Sequence, residues 1–420
     1  MIKMNKIGCV ILAAGKGARF NSDKPKVLHE LHGKPILQNV LDVSAAAGFN
    51  CPTVVIGPKS GQLRDFLKNK ANIAVQKKQI GTADAIKSAG KELFCFEDIL
   101  ILYGDVPLVK PETLKSLIKE HKRSGASCTL LTVILDDPAE YGRIIRDNSG
   151  GVGGIIEHKE ASEEQKKIRE INTGLYCFKR RELFNAIEKV RRSPVKKEYY
   201  LTDLISILIG DGKKVSALRT NDPNEVIGIN SREDLSKAYL ILRDRAVKRL
   251  ISGSVTILDA SAVYISPDAK IGRDTVIYPF VTIERDVRIG KRCSIGPFCR
   301  LRSHTVLGDD VEIGNFVEVV RTKVKSGTKA KHLTYLGDCL VGRDVNVGCG
   351  AITANFDGKA KHQTVIEDKV FIGSGTILVA PVKVGKSALT GAGSVVLRNE
   401  DVPPKAVVVG VPAKVLSKSR

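Results

Sequence analysis

The chain has 420 residues, enough for two domains with cores of their own. Its net charge is +21, yet Lys and Arg are scattered among acids, Trp is absent and aromatics make up 5%. That pattern argues against nucleic acid as a partner and for small anionic substrates such as phosphates and nucleotides. Nine Cys, an odd count with no C-x-x-C pair, argue against a disulfide framework or a zinc site and for a reducing, cytoplasmic compartment.

The apolar run ending at Leu12 is too short to span a membrane and passes straight into a glycine-rich turn, so no membrane attachment is expected. Ile7–Leu12 reads instead as a strand buried on both faces of a parallel sheet. Ala13-Ala14-Gly15-Lys16-Gly17-Ala18-Arg19 follows. Glycines there let backbone N–H groups approach a phosphate, and Lys16 and Arg19 add charge. The spacing matches neither the P-loop nor the dinucleotide fingerprint, so a plain glycine-rich turn stays open as the alternative. Lys26, in Lys24-Pro25-Lys26-Val27-Leu28, offers another cation near the same mouth.

Further strands are expected at 53–56, 99–102 and 129–135, with helices at 82–89 and 111–122. The alternation implies an open parallel sheet with helices on both faces, where ligands lie beyond the carboxyl ends of the strands. Asp105 stands there, after Ile99-Leu100-Ile101-Leu102-Tyr103-Gly104. A carboxylate beside a phosphate loop is a natural magnesium ligand; a turn-capping Asp is an equal alternative on this pattern alone.

Residues 231–251 read as one helix between domains. Ser231 and Asp234 fit a capping box, Leu235, Ala238, Tyr239, Leu242 and Ala246 form an apolar stripe, and Gly253 ends it. Beyond it an aliphatic residue recurs every six positions, from Ile265, Ile271 and Ile277 through to Val319. A small residue that would fit a tight corner precedes most of them by two, as at Ala269, Thr275 and Cys293. A period of six fits neither a lone helix nor an alternating strand; it fits a parallel β-helix whose aliphatics stack inward. The phase slips and continues through Val324, Ala330 and Leu336, then Val341, Val347 and Thr353, then Ile366 to Val396. The polar gap 354–365 cannot line a coil and is expected as an extruded loop, a place for function. His332 stands out in the coil, followed at later steps by Asn346 and by the loop residues Asn355 and Lys361.

Leu12 to Arg19, with Pro25-Lys26-Val27-Leu28, Gln79-Ile80-Gly81-Thr82-Ala83 and Leu102-Tyr103-Gly104-Asp105, resembles the sugar-phosphate nucleotidyltransferases. Tyr141-Gly142-Arg143-Ile144, Glu157-His158-Lys159, Glu170-Ile171-Asn172-Thr173-Gly174 and Glu198-Tyr199-Tyr200-Leu201-Thr202-Asp203 narrow this. Together they resemble the uridylyltransferase half of the bifunctional N-acetylglucosamine-1-phosphate uridylyltransferase/glucosamine-1-phosphate acetyltransferase family. Gly314-Asn315-Phe316-Val317-Glu318, His332 to Asp338, and Asn346 with Ala354-Asn355-Phe356-Asp357-Gly358 resemble its acetyltransferase half.

The resemblance implies an α/β nucleotidyltransferase (Rossmann-like) domain at 1–230, a linker helix at 231–252 and a left-handed parallel β-helix of hexapeptide repeats at 253–420. It implies synthesis of UDP-N-acetylglucosamine from glucosamine 1-phosphate, acetyl-CoA and UTP, with Mg2+. Arg19 and Lys26 would meet the nucleotide phosphates, and Leu12, Ala13, Ala14, Gly15, Gln76, Gly81 and Thr82 would line the nucleotide. Tyr103, Gly142, Glu157, Asn172 and Asn230 would bind the N-acetyl sugar; Asp105 and Asn230 would hold the metal. In the coil His332 would be the general base, while Arg302, Tyr335, Asn346 and Lys361 would hold the sugar phosphate. Cys349, Asn355, Phe356, Ser374 and Ala392 would touch acetyl-CoA, lying between subunits of a homotrimer. The family's phosphate-binding Lys is Val320 in this chain, with Arg321 adjacent as its substitute, and an Arg that meets coenzyme A aligns with Gly410. The alternative is a nucleotidyltransferase whose β-helix is structural or regulatory.

Overall fold

The computed structural model describes residues 6–15, 17–193 and 197–416. The chain forms two compact units, Met1–Ala238 and Tyr239–Arg420, and the division falls inside one helix. All nine cysteines are free thiols. Among the described residues no helix is long and apolar enough to cross a membrane.

One sheet organises the first unit. Its strands are β1 (Ile7–Leu12), β2 (Thr53–Ile56), β3 (Asn72–Val75), β4 (Asp98–Tyr103), β5 (Cys128–Ile134), β6 (Arg143–Arg146), β7 (Val152–Ile156), β8 (Glu170–Lys179) and β9 (Val215–Arg219). The order is β9-β5-β8-β4-β1-β2-β3, with the β6–β7 hairpin joined to β8. The helices that matter here are α1 (Ile36–Ala46), α2 (Thr82–Ser88), α3 (Pro111–Ser124), α4 (Asp203–Gly210) and α5 (Arg232–Ser252).

Every residue of β1 is buried, because alternate side chains serve two cores. Ile7, Cys9 and Ile11 pack with Leu37, Val40 and Leu41 of α1 and Leu114 and Leu117 of α3. Val10 and Leu12 pack on the other face with Ile86 of α2 and Leu204, Ile205 and Leu208 of α4. The sheet is mixed, not wholly parallel: β8 runs antiparallel to both β4 and β5. It is reached from β5 through a hairpin and not a full crossover helix, so nothing forces the parallel direction on it.

Helix α5 starts and stops where its capping residues dictate. Asp234 N donates to Ser231 Oγ at 3.1 Å while Ser231 N donates to Asp234 Oδ2 at 2.9 Å, a reciprocal box. Gly253 N closes the other end on Arg249 O at 3.0 Å.

The second unit is a coil of three parallel sheets. The six-residue aliphatics Ile265, Ile277, Ile283, Ile295, Leu301, Ile313 and Val319 are buried in one continuous core. The small residues before them, Thr275, Val281, Cys293 and Thr305 among them, are buried beside the corners. Corners repeatedly take a left-handed non-glycine residue, as at Asp274, Arg292 and Asp310 on one edge and Phe280, Phe298 and Phe316 on another. Stacked partners lie 18 residues apart in the regular part, as Ser294 on Val276. The step falls to 17 from Glu312 to Lys329 and from Lys329 to Asn346, then widens to 25 from Asn346 to Phe371. Those changes are the phase slips of the repeat, and the wide step holds the extruded loop between Ile352–Ala354 and Thr364–Ile366.

Candidate active sites of the two units

In the first unit the site forms at the carboxyl ends of β1 and β4. Leu12, Ala13 and Ala14 are buried, and the chain then emerges at Gly15. Lys16 lies outside the described residues. Ala13 N donates to Val55 O at 2.8 Å and Gly104 N to Leu12 O at 2.9 Å, which fixes the loop between its neighbours. Gly17 has φ of 64°, and a Cβ there would come within 2.9 Å of Lys26 Cβ, so glycine lets the loop close over Lys26. Arg19 sits at the exposed rim, with Nη1 3.4 Å from Glu140 Oε2.

Lys26, Asp105 and Asn230 come together although 204 residues separate the outer two. Lys26 Nζ donates to Asp105 Oδ2 at 2.5 Å and to Asn230 Oδ1 at 3.0 Å, and its side chain is only 10% exposed. Ile229 N donates to Asp105 O at 2.8 Å, so backbone pairing holds the two oxygen-bearing residues side by side.

Gln76 is buried, and its Nε2 donates to Gly81 O and to Asp84 Oδ2, both at 2.9 Å. Both amide protons are thereby used and Oε1 is left as an acceptor. Gly81 has φ of 123°, and a Cβ would lie 2.3 Å from Tyr199 O, so no side chain fits. Leu201 N donates to Thr82 Oγ1 at 2.9 Å, clasping the start of α2.

The residues expected to bind the sugar cluster next to these. Asn172 N donates to Gly142 O at 2.8 Å, and Asn172 Nδ2 donates to Tyr176 Oη at 2.7 Å. Thr202 Oγ1 donates to Glu157 Oε1 at 2.9 Å. Burial pushes the Tyr103 phenol up, with the charges of Glu157 and Asp105 adding to it. Asp203 closes the motif that runs from Glu198. Its carboxyl is pushed up to about 6, first by burial and then by Glu160 and Glu157. The Glu157–Glu160–Asp203 cluster is the feature that the sequence reading missed.

In the second unit the residues fall on two edges of one flat face. Asn315 and His332 are register partners. Above them Leu333 N donates to Asn315 O, Gly350 N to Leu333 O, Gly375 N to Cys349 O and Gly393 N to Ser374 O. His332, Cys349, Ser374 and Ala392 therefore stack along one edge, all four exposed. Asn346 stands on the adjoining face, paired with Lys329 and Phe371.

The other edge carries the cations. Arg302 Nη1 donates to Glu318 Oε1 at 2.9 Å. Val320 is buried and pairs with Gly337 in the next coil. Arg321 makes a two-pronged pair with Asp338, Nε to Oδ1 at 2.6 Å and Nη2 to Oδ2 at 2.7 Å. Asn355 Nδ2 donates to the same carboxylate, at the root of the extruded loop. Arg321 holds the Asp338 carboxyl below the usual carboxylate range, with Asn355 and Lys361 contributing. A Cβ on Gly337 would meet both Tyr335 Oη and Asn355 Nδ2 at 2.6 Å, so the glycine lets Tyr335 fold across the face. Phe356 and Lys361 bridge each other across the loop, which brings Lys361 back over its root.

A mixed α/β sheet with a cation-lined mouth beyond its strand ends is the architecture of a nucleotidyltransferase, and a six-residue coil with a histidine edge that of a hexapeptide acyltransferase. Residues 9–192 match the MobA-like NTP transferase domain family, and residues 286–321 match the bacterial transferase hexapeptide family (six repeats). Over 441 residues the chain is 43% identical to the bifunctional protein GlmU of Geobacillus thermodenitrificans (strain NG80-2), covering 97% of this chain and 96% of that one. Proteins of the same name from Heliobacterium modesticaldum and Bacillus subtilis (strain 168) are 42% and 41% identical, each over 440 residues with the same coverage. The chain belongs to the family of bifunctional GlmU proteins.

Proposed function

We propose that the uridylyl group changes hands at the mouth formed by Lys26, Asp105 and Asn230, and the acetyl group at the edge that carries His332. The chain is a bifunctional enzyme of UDP-N-acetylglucosamine synthesis, a glucosamine-1-phosphate acetyltransferase and an N-acetylglucosamine-1-phosphate uridylyltransferase. Its substrates are sugar 1-phosphates, acetyl-CoA and UTP. Functional division at 1–230, 231–252 and 253–420 is part of this reading, as is a cytoplasmic setting where thiols stay reduced.

For uridylyl transfer, the sugar phosphate attacks the α-phosphorus of UTP and pyrophosphate leaves. The nucleophile is already anionic, so no general base is needed, and positioning with positive charge carries the step. Lys26 and, at the rim, Arg19 serve the phosphates. Gln76 Oε1, the free acceptor, meets the N3–H of uracil, which cytosine lacks. Gly142, Glu157 and Asn172, with Tyr103 beside them, receive the N-acetyl sugar. The Asp105 carboxylate and the Asn230 carbonyl oxygen are hard donors aimed at one point, the set Mg2+ takes when phosphates and water fill its remaining positions. Bound there, the ion would offset phosphate charge.

For acetyl transfer, the sugar amine attacks the thioester carbon and coenzyme A leaves with its sulfur reprotonated. That amine is mostly protonated near neutral pH, so a base must remove its proton, and His332 is assigned that role. Arg302, Tyr335, Asn346 and Lys361 hold the sugar phosphate; Cys349, Asn355, Phe356, Ser374 and Ala392 meet acetyl-CoA. Arg321 reaches the phosphate only with a guanidinium already shared with Asp338. Because the base edge and the cation edge lie on opposite sides of one face, a neighbouring copy supplying the missing edge completes the site. This supports a homotrimer.

The observation that carries the reading is the convergence of Lys26, Asp105 and Asn230 from three distant segments on one point. The test is a coupled assay of the purified protein with glucosamine 1-phosphate, acetyl-CoA, UTP and Mg2+, following each product. Pyrophosphate release without acetylation would leave the coil a structural element.

A further inference from the structure

The two oxygens assigned to the metal already hold a cation. Lys26 Nζ bonds both Asp105 Oδ2 and Asn230 Oδ1, in a side chain nine-tenths buried. A magnesium ion drawn to the same two oxygens at about 2.0–2.1 Å would compete there with the ammonium, two like charges at one point. We propose that Lys26 is a resident stand-in cation: it keeps the two ligands converged when no metal is bound, and it must be evicted for the metal to enter. This rests on the metal assignment made above.

Three features support it. Two acceptors facing each other in a half-buried mouth repel unless a cation lies between them, and removing one partner of such a pair leaves an uncompensated charge. The lysine is anchored at its base, and its unbranched stem ends in an ammonium held by the two acceptors. Val27 and Leu28 are buried, Gly17 packs against Lys26 Cβ, and the four-carbon stem beyond that point can swing. The displaced ammonium also has a destination, because Lys26 lies at the mouth through which the nucleotide phosphates enter. A bare divalent ion must therefore evict Lys26 with nothing to receive it. An ion arriving with a triphosphate gives the ammonium a new anionic partner. Metal and nucleotide binding are then positively coupled, and the coupling is reciprocal.

The experiment is Mn2+ titration of the full chain without nucleotide, read by electron paramagnetic resonance. Lys26→Met, close in shape and uncharged, should bind Mn2+ at least tenfold more tightly than the wild type, whereas Lys26→Arg should stay as weak. Adding Asp105→Ala to Lys26→Met should remove the gain. A Lys26→Met protein with an unchanged melting transition and no gain in Mn2+ affinity overturns the stand-in role. Tight Mn2+ binding that survives in the double variant overturns the metal assignment itself. The wild type supplies a second readout that requires no variant to fold. Reductive methylation of Lys26, followed by mass spectrometry, should accelerate as Mg2+ is raised. Labelling independent of Mg2+ overturns the proposal.

Discussion

Asp203 opens α4 with a carboxyl pushed from 3.8 up to about 6 by burial, Glu160 and Glu157. An acid whose folded value is raised binds its proton more tightly folded than unfolded. Stability conferred by the neutral form is therefore present below about pH 4 and is lost as pH rises through about 6. A rise from 3.8 to about 6 corresponds to about 3 kcal/mol, and because the group is only partly buried, screening reduces this to about 1–2 kcal/mol. Asp203→Asn removes the charge and keeps the shape. It should stabilise the first unit by about 1–2 kcal/mol at pH 7.5 and by about a third of that at pH 4.5, where the unfolded carboxyl is ionised and the folded one is still neutral. Urea denaturation of the full chain, read by pulse-labelling mass spectrometry on β4 and β8 peptides, reports that unit alone. An equal gain at both pH values, or a loss at pH 7.5, would refute the electrostatic account. A destabilising carboxylate beside Glu157, which we propose binds the sugar, is what stability given up for function looks like.

Asp105→Asn should lower uridylyl transfer by about two orders of magnitude and leave acetyl transfer within about twofold, because the two sites lie in separate units; parallel assays of both products check this. His332→Ala should lower acetyl transfer by about two to four orders of magnitude, the range of a positioned base, with pyrophosphate release unaffected. Val320→Lys would place an amine in the column between Arg302 and Gly337, where Glu318 is already paired with Arg302 and Asp338 with Arg321. It should lower KM for glucosamine 1-phosphate with kcat nearly unchanged, since a phosphate contact serves ground state and transition state alike. No change in KM would show that Arg302 and Lys361 suffice.

What was legible in the sequence was whatever depends on local period. Ile7–Leu12 and Thr53–Ile56 fall where the apolar runs place them, and α5 starts at its capping box, because burial on both faces and capping each leave a mark within a few residues. The direction of β8 leaves no such mark: an antiparallel strand between parallel ones has the same apolar content and is set by its connection. The Asp203 carboxyl is equally silent, since Glu157 and Glu160 reach it only through the packing of α4. The Arg321–Asp338 pair is an intermediate case. The two residues are 17 apart, and only when the coil step there is known to be 17 do they become neighbours on one edge.

That step also bears on where the proposed acetyl site lies. A perfectly regular coil repeats the same side-chain environment on every turn, which suits a core but cannot bring unlike groups to one place. The two short steps and the wide one break the repeat between Glu312 and Phe371. The coil residues assigned to acetyl transfer lie in or beside that interval. Most coil strands are two residues long, but Glu312–Asn315 and Lys329–His332 are four, and they pair as far as Asn315 with His332. His332 is thus the last residue of a strand prolonged to its corner, its backbone held by a neighbour while its ring stands exposed. The base role proposed for His332 needs a fixed origin and a free tip, and this position has both.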